Sequence, residues 1–129
     1  MATNETDYNI LVVDDVSANV LLMETILKKE GYRTDKAYSG KECLTKVADA
    51  AETFDLILLD VMMPGMDGYS VLTQLKENPA TRDIPVIMLT ALTDLGSVNK
   101  AKEMGALDFI FKPFKRAELT AQIRAVLEK

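Results

Sequence analysis

Five short apolar runs recur along the chain, and between them apolar positions fall at helical spacing. NILVVD (Asn9 to Asp14), DLILLD (Asp55 to Asp60) and PVIMLT (Pro85 to Thr90) are nearly continuous apolar segments. A strand that is apolar on both sides belongs in a parallel sheet covered on both faces. RTDKAY (Arg33 to Tyr38) is more polar and alternates, which predicts an edge strand. DFIF (Asp108 to Phe111) predicts a short last strand, and these two flank the apolar trio.

Helical stripes fill the intervals. Val20, Met23 and Leu27 share a face in the first helix, which Gly31 can end in a left-handed conformation. KECLTKVADA has helical character. Asp67 ahead of Gly68 and Tyr69 predicts an N-cap for a third helix through Val71, Leu72 and Leu75, stopped by Asn78 and Pro79. Leu95, Val98 and Ala101 suggest a fourth helix, and Leu119, Ile123, Val126 and Leu127 mark the last. Strict alternation of strand and helix with short connections implies right-handed crossovers, with helices on both faces of one sheet. Residues 1–8 are polar and predict a flexible N-terminal tail, with one domain over 9–129.

Composition narrows the chemistry. The 129 residues are 48% apolar, enough for one packed core. Histidine is absent, so Ser-His-Asp or Cys-His catalysis, His-ligated zinc and histidine general bases are impossible within this chain. The single Cys43 cannot form an intrachain disulfide and reads as a small buried thiol, which fits a reducing cytoplasmic setting. Lys and Arg total 15 against 20 Asp and Glu, a net charge of -5, which argues against direct nucleic-acid binding. No apolar run approaches the ~20 residues of a membrane span, and MATNETDYN lacks the pattern of a signal peptide.

Asp14, Asp15, Asp60, Thr90 and Lys112 each fall where an apolar run ends. In an open parallel sheet, ligands bind beyond the carboxyl ends of the strands, at the point where strand order reverses. Three carboxylates, a hydroxyl and an ammonium gathered there suit a magnesium ion and a phosphoryl group. Taken singly, most have ordinary readings: the Asp14-Asp15 pair as a helix cap, Thr90 as a β-former, Lys112 as a surface charge. Asp60 resists one, because a carboxylate closing the run LILL is costly in a sheet unless it reaches solvent, a metal or a partner.

At these positions the chain resembles the response-regulator receiver domains of two-component signalling, chemotaxis regulators included. VVDDVSANV, LILLDVMMPGMDG, VIMLTA and FIFKPF arrive in that family's order and approximate spacing, over nearly the whole chain. The resemblance implies a doubly wound, flavodoxin-like α/β fold, a five-stranded parallel sheet of order 2-1-3-4-5 with five helices. It makes residues 9–129 the receiver domain and Asp60 the phosphoacceptor, assisted by Lys112 and Thr90. Mg2+, or Mn2+ in its place, would be held by Asp15 directly, by Asp14 through water, by Asp60 and by the backbone carbonyl of Met62. The resemblance also implies a cis peptide at Lys112-Pro113 and a switch joining Thr90 to Phe109, where many family members have tyrosine. Phe109 lacks the hydroxyl, so its switching would rest on packing; plain core is its other reading. Met62 and Leu92 match the two positions that tune phosphate lifetime. Both are apolar and neither can orient a hydrolytic water, which predicts slow spontaneous loss of phosphate.

The implied donor is a sensor histidine kinase or a histidine phosphotransfer protein in a phosphorelay. The implied output is the face formed by the fourth helix, fifth strand and fifth helix, read by a downstream protein or by an output domain outside this sequence. Such a chain would catalyse only its own phosphorylation and dephosphorylation. Homodimerisation on phosphorylation, and a stand-alone regulator against a piece of a larger one, stay open. Three other readings compete with this one. A receiver-like scaffold that never takes phosphate leaves the five residues without a task. A magnesium-dependent aspartyl-nucleophile phosphatase should carry Asp-x-Asp after the first strand, and a flavin or nucleotide module needs a glycine- or hydroxyl-rich loop there; DDVSANV is neither.

Overall fold

A computed structural model describes residues 8–50, 54–91 and 95–128, with no side-chain description for residues 95–98. The strands are β1 (Asn9–Val13), β2 (Arg33–Ala37), β3 (Leu56–Asp60), β4 (Val86–Thr90) and β5 (Asp108–Phe111). Between and after them run α1 (Ser17–Lys29), α2 (Gly40–Ala50), α3 (Gly68–Glu77), α4 (Leu95–Glu103) and α5 (Arg116–Leu127). All strands pair in parallel in the order β2-β1-β3-β4-β5, as expected of the doubly wound fold.

Alternation along the strands divides the core into two layers. Ile10, Val12, Leu58, Ile87, Leu89 and Ile110 face one way, toward Val20, Met23 and Leu27 of α1 and Leu119 and Ile123 of α5. Leu11, Val13, Leu59, Met88 and Phe109 face the other way, toward α2, α3 and α4. Every residue of β3 and β4 is buried, which is why those runs carry no polar alternation. Cys43 is wholly buried among the second layer, and burial pushes its thiol up to about 12, so it holds no reactive thiolate.

The strand ends are one residue tighter than the apolar runs suggest. Asp14 and Tyr38 lie just past β1 and β2, and Asp55 and Pro85 just before β3 and β4. Pro85 lacks an N–H for the ladder, whereas the Asp55 carboxylate accepts from the backbone N–H of Asn9 at 2.9 Å. Gly31 closes α1 at φ 91, a left-handed value that disfavours any side chain there, while Tyr32 N–H returns to the carbonyl of Leu27. Asp67 caps α3 by accepting the Ser70 N–H at 2.8 Å, and the helix ends at Asn78. Ala101 of α4 is buried, as its stripe requires, while the side chains of Leu95 and Val98 lie outside the described residues. Among the described residues no helix is long and apolar enough to cross a membrane.

Candidate phosphoacceptor site

Strand order brings the ends of four neighbouring strands together. Asp14 follows β1, Asp60 closes β3, Thr90 closes β4, and Lys112 follows β5. One carboxylate oxygen from each of Asp14, Asp15 and Asp60 lies within 4.8 Å of the others. Asp14 and Asp60 are buried, at 0% and 2% exposure, and Asp15 is exposed at the mouth. Lys112 spans the pair, its Nζ 2.9 Å from Asp14 Oδ2 and 3.0 Å from Asp60 Oδ1. Its backbone N–H donates to the Thr90 carbonyl at 2.7 Å, so the ends of β4 and β5 are tied to each other directly. Thr90 itself is 2% exposed. The Lys112-Pro113 peptide bond is cis.

Electrostatics at this point are unbalanced. Burial pushes the Asp60 carboxyl up to about 6 and the Asp14 charge adds to that rise, against the lowering pull of Lys112. Burial opposes the Lys112 ammonium, but its hydrogen bonds to Asp14 and Asp60 outweigh that and hold it above the ordinary lysine range. Lys112 pairs with only two of the three grouped carboxylates, Asp14 and Asp60, so the site has room for more positive charge. An all-oxygen donor set of this kind fits a hard divalent cation such as Mg2+, which combines one or two carboxylates with retained waters.

The helix-cap reading of the Asp pair gives way to another arrangement. The N-cap of α1 is Val16, with no side-chain cap, and Asp14 Oδ1 instead accepts the Val16 N–H at 3.0 Å. Asp14 Oδ2 also accepts from the side-chain amide of Asn19 at 3.2 Å, a contact that periodicity did not reveal. The available signal was an asparagine, a weak helix former, two residues into a helix and five after an aspartate.

The loop after Asp60 is anchored by close backbone packing. Met62 N–H lies 3.4 Å from Asp60 Oδ1, while the Met62 side chain is 63% exposed. Gly68 N–H donates to the Val61 carbonyl at 2.8 Å, and a Cβ at Gly68 would stand 2.3 Å from the Asp60 carbonyl oxygen. Gly65 turns the loop at φ 83. Phe109, 5% exposed, packs in the core layer of Met88 and Ala101 and also borders a groove with Lys102, Phe111, Glu118 and Gln122. Leu92 lies outside the described residues.

Comparison with known proteins agrees with this geometry. The model of the response regulator receiver domain matches residues 10–124. The chain is 46% identical over 117 residues to the response regulator PleD of Caulobacter vibrioides, covering 91% of this chain and 25% of PleD. It is 42% identical over 127 residues to the transcriptional regulatory protein ResD of Bacillus subtilis, covering 98% of this chain and 50% of ResD. The chain thus spans half or less of these two relatives. Among solved structures, a putative response regulator from Chloroflexus aurantiacus superposes with TM-score 0.88 at 31% identity, covering 96% of this chain and all of that one. CheY in the CheX-CheY-BeF3-Mg2+ complex of Borrelia burgdorferi superposes with TM-score 0.89 at 32% identity, over 95% of this chain and 90% of that one. With its 2-1-3-4-5 sheet and an acidic pocket that fits a phosphoacceptor site, this chain belongs to the receiver domains of two-component response regulators.

Proposed function

We propose that the chain takes a phosphoryl group from the phosphohistidine of a sensor kinase or phosphotransfer protein onto a carboxylate oxygen of Asp60. The observation that carries this reading is the buried Asp60 carboxylate, held 3.0 Å from Lys112 and grouped with Asp14 and Asp15. In the transfer, the P–N bond of the donor breaks and a P–O bond to Asp60 forms. The electron pair leaves on the donor imidazole, which then takes a proton. The chain contains no histidine, so the donor is another protein, another domain or a small phosphodonor.

Phosphoryl transfer needs alignment and neutralised charge more than covalent help from the protein. Lys112, already at Asp60, would turn to an equatorial phosphoryl oxygen, and the Thr90 hydroxyl would donate to another. Asp15 directly, Asp14 through water, Asp60 and the Met62 carbonyl would hold Mg2+ or Mn2+. The ion would supply a Lewis acid that offsets the carboxylate and phosphoryl charges. The CheY relative occurs in a complex with BeF3 and Mg2+, which supports a divalent cation for a domain of this kind. Drawing Thr90 and Lys112 inward would bias the α4/β5/α5 face, with Phe109 as the packing element between them and a downstream protein or output domain. Such a domain would act in the cytoplasm on its own phosphorylation state.

Intact mass after incubation with acetyl phosphate, with and without magnesium, tests the reading. The expected result is one magnesium-dependent phosphoryl adduct that is absent from Asp60→Asn. A folded, magnesium-binding chain that takes no adduct from acetyl phosphate or from a phosphorylated histidine protein would overturn it in favour of the scaffold.

A further inference from the structure

A wholly buried carboxylate is tolerated only where donors meet its oxygens, and three donors meet Asp14. Val16 N–H takes Oδ1, while the Asn19 amide and the Lys112 ammonium share Oδ2 at 3.2 and 2.9 Å. A carboxylate offers about four acceptor positions, so about one is left for a further donor such as a metal-bound water. The three donors are not equivalent. Val16 contributes backbone, which any residue supplies, and Lys112 also bonds Asp60. Asn19 is the neutral side-chain donor.

Its chemistry suits that place. Asn19 is the third residue of α1, and helical side chains lean toward the N-terminus, which carries its amide back over the first turn to Asp14. Only the amide nitrogen can donate to a carboxylate, so the pairing fixes the orientation of the group. A lysine or arginine there would compete with a bound cation for the acidic cluster, and an aspartate would add a fourth negative charge. Asparagine orients Asp14 without changing the charge of the site. Leu21 and Leu22, the next residues but one, are stronger helix formers, so local helix stability does not account for the choice.

We propose that Asn19 is a positioning residue for the cation site. It holds the Asp14 carboxylate so that its remaining acceptor position faces a water of the bound ion, and it keeps Asp14 tethered when Lys112 turns toward the phosphoryl group. This rests on the phosphoacceptor reading of the same pocket. Hydrogen-bond partners of direct metal ligands typically change affinity or activity by about 10- to 100-fold when deleted, and Asn19, one step further out behind Asp14 and its water, belongs at the lower end of that range.

The test compares the full chain with Asn19→Ala and Asn19→Gln. Magnesium binding is followed by calorimetry, Mn2+ binding by the electron paramagnetic resonance of the free ion, and metal-free stability by urea unfolding in EDTA. The expected result is cation affinity about 10-fold weaker in Asn19→Ala, unchanged metal-free stability, and partial recovery in Asn19→Gln, which keeps an amide donor. Phosphorylation of Asn19→Ala by acetyl phosphate should approach the parent rate as magnesium is raised. Unchanged cation affinity in Asn19→Ala, beside a parent chain that binds both ions, would overturn this inference alone. Weaker binding with a matching loss of metal-free stability would also overturn it, in favour of a structural role. A parent chain that binds neither ion would overturn the phosphoacceptor reading together with it.

Discussion

Asp60→Asn should stabilise the metal-free domain, and by an amount that depends on pH. In the native chain the Asp60 carboxyl sits at about 6 instead of 3.8, raised first by burial and then by Asp14. A carboxyl that keeps its proton to higher pH in the folded state favours folding least when both states are ionised. Stability is therefore lost as pH climbs from about 4 through 6. A rise of this size corresponds to a penalty of about 3 kcal/mol at pH 8 and about 1 kcal/mol at pH 4.5. Asparagine has no charge to desolvate, and its side-chain oxygen still accepts from Lys112, which retains Asp14 as its counter-ion at 2.9 Å. The raised lysine titrates above its ordinary 10.5 and does not enter this pH range.

Urea unfolding in EDTA at pH 4.5 and pH 8 measures the effect. For a denaturant slope near 2 kcal/mol per M, the midpoint of Asp60→Asn should exceed that of the parent by about 1.5 M at pH 8 and by about 0.5 M at pH 4.5. Saturating magnesium should narrow the gap at pH 8, because the ion stabilises the chain that has all three carboxylates more than the one that has two. Equal stability of the two proteins at pH 8, or a gap that does not change with pH, would refute the claim that Asp60 is held ionised against its surroundings.

Four further substitutions probe the loop after Asp60 and, at Tyr32, packing away from the site. Gly68→Ala must push a Cβ off the Asp60 carbonyl, so it should cost about 1–3 kcal/mol and slow adduct formation; Gly65→Ala, with no atom within 4 Å, should show only the cost of its φ of 83. Met62→Glu places a base on an exposed position beside Asp60 and should leave stability nearly unchanged while speeding loss of the phosphoryl group roughly tenfold or more, followed by intact mass over time. Tyr32→Phe removes a buried hydroxyl that donates to Glu128, and should lower stability by about 1 kcal/mol in urea unfolding without changing magnesium binding.

Much of the architecture was legible because it depends on patterns that are local in the chain. A run such as LILLD can be covered on both faces only inside a sheet, and Gly31 or Asp67 marks a helix end through its own backbone or side chain. Asp60 was legible for the same reason: a carboxylate closing an apolar strand is conspicuous without knowing what it meets, whereas Asp14, Asp15, Thr90 and Lys112 gained weight only as a set. What they meet was not legible. Lys112 stands 98 residues from Asp14 and 52 from Asp60, and no periodicity encodes a distance of 2.9 or 3.0 Å across that separation. Strand order supplied the missing information, by making β1, β3, β4 and β5 consecutive, and that order came from family resemblance and not from hydrophobic spacing.

Asn19, and the tight fit of Gly68 against the Asp60 backbone, were not legible, for a different reason. Each acts on another residue's atoms, Asn19 on the Asp14 carboxylate and Gly68 on the Asp60 backbone, and neither type is rare at the start of a helix. A search for chemically active side chains finds the carboxylates and the lysine and passes over the groups that orient them. Yet a buried carboxylate with two free rotations is a poor ligand until something fixes it, and the fixing groups are drawn from neutral donors and close backbone contacts. The sequence signal for such groups is a locally unfavourable residue with no local excuse. An asparagine two residues into a helix ahead of four apolar residues, and a glycine at the first position of α3, both fit that description.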